Sequence, residues 1–370
     1  VYQGEDNSFV SDYVNQLSQE NIGIASITNH NKFDFNEYKA LAKKARKQEI
    51  YVLPGVELSV NDGANGIHCL VIFNPVEWLE NGTDYINQFI TQTFAGKHNY
   101  ENENGRSNDN LIETIRKLNA FEKDYFIIMA HIEQRSGFYK ELDGGRIQEL
   151  GNNPLFRKAV LGFQKVRTRE VIDKLNLWLN NDLPAFVEGS DAKNIAGIGT
   201  GNCVNDIIQK TYLKIGAFNF EAIKYALLDE QFRQEKETTN PVNGYIKSIS
   251  LKGGKLDGST LHLNHSMNNL IGIRGSGKSS ILEAIRYALD IDLNRNQNVD
   301  FEYKTNLVNA LLESGGKITS VLVDDQGNEY NAEKILGDRT NIYKNGELQF
   351  GLKPNAIVKK PIYFGQKDLS

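Results

Sequence analysis

The sequence predicts an α/β protein in two parts, and three observations predict it. Over the first 228 residues, short apolar runs alternate with segments whose apolar residues recur at helical spacing. A polar stretch without periodicity follows, the mark of a boundary between domains. Beyond it, β-type segments lead into a strand, a glycine-rich phosphate-type loop and a helix. The boundaries implied are residues 1–228, a linker over 229–243, and residues 244–370.

In the first part, Phe9, Val10, Tyr13, Val14 and Leu17 place a helix over 9–20, and Ile22–Thr28 reads as a buried strand. An amphipathic helix near 34–48 and a strand at Tyr51–Leu53 continue the alternation, followed by an extended pair at Val56–Val60 and Ile67–Phe73. Helices near 84–93 and 108–119 precede strands at Tyr125–Ala130 and Val160–Val166. A helix at Arg169–Asn180, a strand at Ala185–Val187 and a helix at Phe220–Leu228 complete this part. Repeated β/α units of this kind argue for a parallel sheet or barrel. In barrels, chemistry gathers at the C-terminal ends of the strands.

That rule singles out polar residues. His30 follows the strand ending at Thr28, Glu57 follows Pro54-Gly55, His131 follows the strand ending at Ala130, and Asp191 follows Val187; His68 instead opens a strand. Each alone has an ordinary explanation as a hydrogen-bonded rim residue or a helix cap. Together, three imidazoles and two carboxylates form the mixed donor set that suits Zn²⁺, Mn²⁺ or Fe²⁺. Clusters of two or three such ions generate hydroxide at neutral pH and stabilise phosphoryl transition states.

These residues resemble the PHP (polymerase and histidinol phosphatase) metallo-phosphoesterases. The likeness lies in Ile27-Thr28-Asn29-His30-Asn31, Pro54-Gly55-Val56-Glu57-Leu58-Ser59, Gly66-Ile67-His68-Cys69, Ala130-His131 and Gly189-Ser190-Asp191-Ala192-Lys193, in the family's order over about residues 1–225. The resemblance implies a distorted (βα)7 barrel, with His30, Glu57, His68, His131 and Asp191 as metal ligands and His131, Asp191 and Lys193 at the reaction centre. The chain departs from the family at Asn29, where an Asp is usual, and at Lys193, where a ligating His is usual. The family's opening His-x-His strand is expected upstream of Val1. Lys193 could neutralise phosphate charge in place of one ion, or mark a decayed site.

The linker 229–243 is polar and aperiodic. After it, Tyr245–Leu251, a turn at Gly253-Gly254 and Ser259–Leu263 read as β-structure, and Leu270–Ile273 reads as the strand entering the loop. Gly272, Gly277, Lys278 and Ser279 satisfy G-x-x-x-x-G-K-[ST]. In that pattern backbone N–H groups curl around phosphates, the lysine reaches the β/γ-phosphates and the hydroxyl ligates Mg²⁺. Ile281, Leu282, Ala284, Ile285, Ala288 and Leu289 give the following helix one apolar face, and its N-terminus favours the same anion. Later strands at Ile318–Val323, Glu329–Ile335 and Asn341–Tyr343 are separated by the hairpin signals Asp325-Gln326-Gly327 and Lys344-Asn345-Gly346.

Asn269, Leu270, Gly272–Ser280 and Leu282–Leu289 resemble the N-terminal half of an ABC-type ATPase head of the SMC and Rad50 kind, and Ile362–Gln366 resembles its glutamine loop. By that likeness ATP and Mg²⁺ bind through Gly272, Arg274, Gly275, Gly277, Lys278, Ser279, Ser280 and Gln366, with Ser279 on the metal. Arg274 is the variant associated with TrlF-like PHP–ATPase fusions. The Walker B and signature motifs are expected downstream of Ser370, so that this piece binds ATP without hydrolysing it and pairs with a second head in a homodimer.

Composition narrows the classes further. At 370 residues, with 40% hydrophobic and 24% charged, the chain is that of an ordinary globular protein. No apolar run approaches about 18 residues and no signal pattern opens the chain, so the expectation is a cytoplasmic protein without membrane association. Cys69 and Cys203 are too few for a disulfide framework. The net charge of −5 divides into 26 Lys/Arg against 33 Asp/Glu over 1–240 and 16 against 14 over 241–370, so neither part is a basic nucleic-acid glove. The function expected is an ATP-regulated, metal-dependent phosphoesterase. The two resemblances imply DNA or RNA as substrate, bacterial nucleic-acid surveillance or antiviral defence as the setting, and other defence proteins as possible partners. The alternative is an ATP-driven clamp or sensor whose barrel is a decayed scaffold or docking module; an independent small-molecule kinase is disfavoured by the antiparallel strands.

Overall fold

The computed structural model describes residues 8–192, 194–200, 203–204, 207–235, 243–291, 293, 301–359 and 363. It divides into two compact units, Val1–Thr238 and Thr239–Ser370.

The first unit is built on a six-stranded sheet whose spatial order follows the chain: β1 (Ile24–His30), β2 (Tyr51–Val60), β3 (Ile67–Phe73), β4 (Tyr125–Met129), β5 (Val160–Gln164) and β6 (Ala185–Val187). β1 and β2 are parallel, as are β4, β5 and β6, but β3 is antiparallel to both β2 and β4. The expected parallel sheet or barrel therefore carries one reversed strand, β3. The cause is the six-residue connection Asn61–Gly66, too short for a parallel crossover, which needs about a dozen residues or more. Gly63 and Gly66 make the turn at φ 71° and 78°, and a Cβ on Gly66 would stand 2.9 Å from the Val60 carbonyl oxygen. Because β3 runs backwards, its first residues share an edge with the C-terminal ends of the other five strands.

Several strand boundaries also differ from the sequence reading; β1 runs Ile24–His30 rather than Ile22–Thr28, so His30 ends the strand instead of following it. Tyr51–Leu53 and Val56–Val60 are one continuous strand through Pro54. Tyr51 and Glu57 hydrogen-bond toward β1, so Pro54 faces the β3 side, where the ladder begins only at Gly55 and no donor is required. β5 ends at Gln164 rather than Val166, because Lys165 adopts a left-handed backbone with φ 58°.

Both faces of the sheet are covered, as its parallel portions require. On one side Val52, Val56, Leu58, Cys69, Val71 and Phe163 join a large core with the helices Phe9–Gln19, Phe35–Arg46, Tyr85–Thr93 and Leu111–Asn119. The last of these starts with a capping box, Asn110 accepting from Glu113 N while the Glu113 carboxylate accepts from Asn110 N. On the other side Leu53, Ile72, Phe126 and Leu161 meet Phe220, Ile223 and Leu227 of the helix Phe220–Leu228. Two short pairs complete the unit: β7 (Cys203–Val204) with β8 (Ile207–Ile208), and β9 (Tyr212–Leu213) with β10 (Gln234–Glu235). The second pairing, and a helical turn at Glu230–Arg233, draw the first half of the expected linker into this unit.

The second unit is an antiparallel sheet in the order β12 (Thr260–His262), β11 (Tyr245–Lys252), β13 (Lys317–Val323), β14 (Glu329–Ile335), β15 (Asn341–Lys344) and β16 (Glu347–Leu348). Lys344–Gly346 turns β15 into β16, rather than separating β14 from β15. The helices Lys278–Ala288 and Phe301–Leu312 pack Ala284, Ala288, Val308 and Leu312 against Ile249, Leu251 and Ile318. The face that the first of these helices buries differs from its apolar stripe: Leu282 is exposed, whereas Glu283 and Arg286 are buried. Arg286 Nε donates to Glu283 at 2.7 Å, its Nη1 donates to the Ile291 carbonyl at 2.7 Å, and the Tyr363 hydroxyl donates to Glu283, so the buried charges are paired. Leu270–Ile273 is not a strand: no other strand pairs with it among the described residues, and Ile271 and Ile273 are exposed. No helix among the described residues is long and apolar enough to cross a membrane.

Candidate metal centre

The strand-end edge of the first sheet gathers three of the sequence-selected side chains. Glu57 lies on β2 and His68 at the start of β3, where the ladder pairs Ser59 with His68 and Glu57 with Leu70. Residues two apart on a strand share a face, so Glu57 and His68 are diagonal neighbours on the same side. His131 lies two residues beyond the end of β4. His68 Nδ1 lies 3.0 Å and His131 Nε2 3.5 Å from the same oxygen, Glu57 Oε1. One donor atom from each of the three residues lies within 4.8 Å of the others. His30, at the end of β1, packs its ring 5.3 Å from that of His68, as does the ring of His131. It stands beside the three-residue group and is not part of it.

The electrostatics match a ligand set. Burial pushes the Glu57 carboxyl up, but hydrogen bonds from His131 and His68 and their charge outweigh it and hold it down at about 2. Burial, with the charge of His68, pushes His30 below the ordinary imidazole range, toward the neutral form that coordinates metals. His30 Nε2 and His131 Nδ1 are buried and have no hydrogen-bond partner. Buried polar atoms are normally satisfied, so these two unpartnered nitrogens, one on His30 and one on the His131 ring whose Nε2 faces Glu57, fit a site that holds a cation. The Cys69 thiol, buried next to His68, is pushed up by burial and offers no thiolate.

Neighbouring residues fix these side chains. His131 sits at φ 27°, a conformation sparsely populated outside glycine, and its N–H donates to Gln164 Oε1 at 3.0 Å. Asn31, fully buried at φ 51°, accepts from Ser59 N at 3.0 Å and donates to the carbonyls of Tyr100 at 2.7 Å and Gly105 at 3.0 Å. Its own N–H donates to the Glu57 carbonyl at 2.7 Å. It thereby ties loop 99–106 to β2, and the Glu101 carbonyl reaches to 3.5 Å from His30 Nδ1.

Asp191 does not belong to the three-residue group. Half exposed at φ 49°, it lies 3.5 Å from the ammonium of Lys165. Asn29 is exposed, and its side chain hydrogen-bonds Glu37. Lys193 lies outside the described residues. Gln164 and Lys165 escaped the sequence reading although the strand-end rule covers them: β5 is the strand whose end was passed over, because Gln-Lys matches no ligand motif.

In the second unit, Gly272–Ser276 is exposed, with Gly275 at φ 84° and Gly277 at φ 90°. Gly277 caps the helix that holds Lys278, Ser279 and Ser280 in its first turn. Lys278 Nζ folds back on the loop, donating to the Gly272 and Ile273 carbonyls at 2.6 and 2.8 Å. Arg274 is exposed on the same loop, and Gln366 lies outside the described residues.

No family model and no curated protein matches the chain. Solved structures do: 16 chains match, among them a candidate metal-dependent phosphoesterase from Bifidobacterium adolescentis, 11% identical, covering 61% of this chain and 92% of that one with a TM-score of 0.38.

Proposed function

We propose that the first unit is a metal-dependent phosphoesterase whose ion is held by Glu57, His68 and His131, with His30 alongside. The observation that carries this reading is the convergence of one carboxylate and two imidazoles on a strand-end edge, next to two buried nitrogens without partners. A transition-metal ion bound there supplies Lewis acidity toward a phosphoryl oxygen and activates water at neutral pH. The protein's own part is to aim the imidazoles: Gln164 fixes the backbone of His131, Glu57 fixes the ring of His68, and Asn31 fixes both β2 and the loop over His30. Cleavage of nucleic-acid phosphodiesters and a role in surveillance or defence extend this reading on the strength of the sequence resemblance.

The second unit, on the same reading, binds Mg-ATP at Gly272–Ser280 and regulates the first. Two left-handed glycines beside a helix N-terminus, with a lysine in the first turn, support the assignment. The test is Mn²⁺-dependent cleavage of DNA, RNA and a small phosphodiester by the full chain, compared with His131→Ala. Cleavage that needs both Mn²⁺ and His131 supports the phosphoesterase; cleavage unchanged in His131→Ala, or none with any substrate, overturns it.

A further inference from the structure

Lys165 follows β5, between the strand that leads to His131 and the strand that precedes Asp191. Its side chain is only 10% exposed, whereas its partner Asp191 is 50% exposed. The ammonium is thus the fixed, enclosed member of the pair and the carboxylate the solvated, replaceable one. Their separation of 3.5 Å is longer than a charge-assisted hydrogen bond, which closes to about 2.7–2.9 Å. The neighbouring cation Arg167 is by contrast locked, paired with both oxygens of Glu188. Lys165 N–H donates to the Val187 carbonyl, and Glu133 accepts from the N–H groups of Arg167 and Thr168, so the backbone that carries Lys165 is tied to both flanking strand ends.

Charge balance shows what such a lysine is for. Glu57 and neutral imidazoles around one divalent ion leave the site with a single positive charge, which matches a phosphodiester but falls one short of the dianionic phosphate monoester that its cleavage releases. We propose that Lys165 is the anion-binding residue of this site, receiving a non-bridging phosphate oxygen in the place Asp191 now holds. This deepens the phosphoesterase reading and rests on it. It gives to Lys165 the charge-neutralising role that the sequence suggested for Lys193.

The experiment is calorimetric titration of inorganic phosphate into the Mn²⁺-loaded full chain, with metal content and thermal unfolding measured on every sample. Lys165→Met is expected to weaken phosphate about tenfold or more, the loss of one hydrogen bond to a charged group, with unchanged metal content. Lys165→Arg is expected to keep most of the affinity, and Asp191→Asn to tighten it by removing the competing carboxylate. A purely structural ion pair would not give opposite signs at its two ends. Unchanged phosphate affinity in Lys165→Met overturns the assignment. If that variant does not fold, Asp191→Asn decides: tighter binding supports the site, equal or weaker binding overturns it. Should the wild type take up no metal, the phosphoesterase reading fails separately, and titration of the metal-free wild type against Lys165→Arg and Lys165→Met still decides whether Lys165 binds phosphate.

Discussion

His68 Nδ1 lies 3.0 Å from Glu57 Oε1 across the β2–β3 hairpin, one of the two antiparallel pairings that the reversed strand β3 makes in its sheet. Were β3 to run with its neighbours, its first residues would lie at the opposite edge and His68 would be a strand length away from His131. Reversal of that single strand is what completes the group.

Acid stability reports on this contact. Glu57 has its carboxyl held at about 2 against an ordinary value of 4.5, so its contribution is full above about pH 4.5 and is lost as pH falls toward 2. In chelator, wild type is expected to lose stability through that window while Glu57→Gln, which has no carboxylate to protonate, shows a flatter profile. Denaturant midpoints measured from pH 5 to 2.5 check it; parallel profiles for the two proteins would contradict it.

Asn31 makes three side-chain hydrogen bonds to backbone groups in a fully buried position, and a fourth contact at 3.5 Å to His30 Nδ1. Asn31→Ala leaves the Ser59 N–H and two carbonyls without partners, and is expected to cost about 2–4 kcal/mol at about 1–3 kcal/mol for each unsatisfied group after partial relaxation. Hydrogen exchange should quicken first at Ser59 and across loop 99–106. Exchange that stays slow there would show that the loop does not depend on Asn31.

Lys278→Ala is expected to abolish measurable Mg-ATP binding by the full chain, since phosphates in the loop would lose their cation. Its ammonium now rests on the Gly272 and Ile273 carbonyls, contacts that a bound phosphate would replace. Calorimetry showing wild-type affinity in the variant would remove the nucleotide site from the account.

Much of this organisation is legible in residue spacing, and the exceptions are physical. Ala185–Val187 and Phe220–Leu228 stand where periodicity puts them, because each buries a regular apolar pattern. The direction of β3 does not show in apolar alternation, which is the same read either way; the shortness of the 61–66 connection and its glycines carry that information. Leu270–Ile273 looks like a strand by composition, yet a strand needs a partner, and none pairs with it among the described residues. In the second unit's helix Lys278–Ala288, the buried pair Glu283 and Arg286 defeated a reading that assigns charge to the surface. At the site, Glu57, His68 and His131 were visible as chemistry-bearing types at strand ends. Gln164 and Lys165 were not, because their roles arise from backbone geometry at the end of β5 rather than from any motif.

The central claim is that Glu57, His68 and His131 hold a metal ion, and elemental analysis of the full chain equilibrated with Mn²⁺ or Zn²⁺ tests it most directly. The account predicts at least one ion per chain in wild type and a loss of about 10-fold or more in affinity for His68→Ala, His131→Ala and Glu57→Gln, since even outer-shell partners are worth 10–100-fold. Wild type without bound metal, or metal retained equally by all three variants, would contradict it.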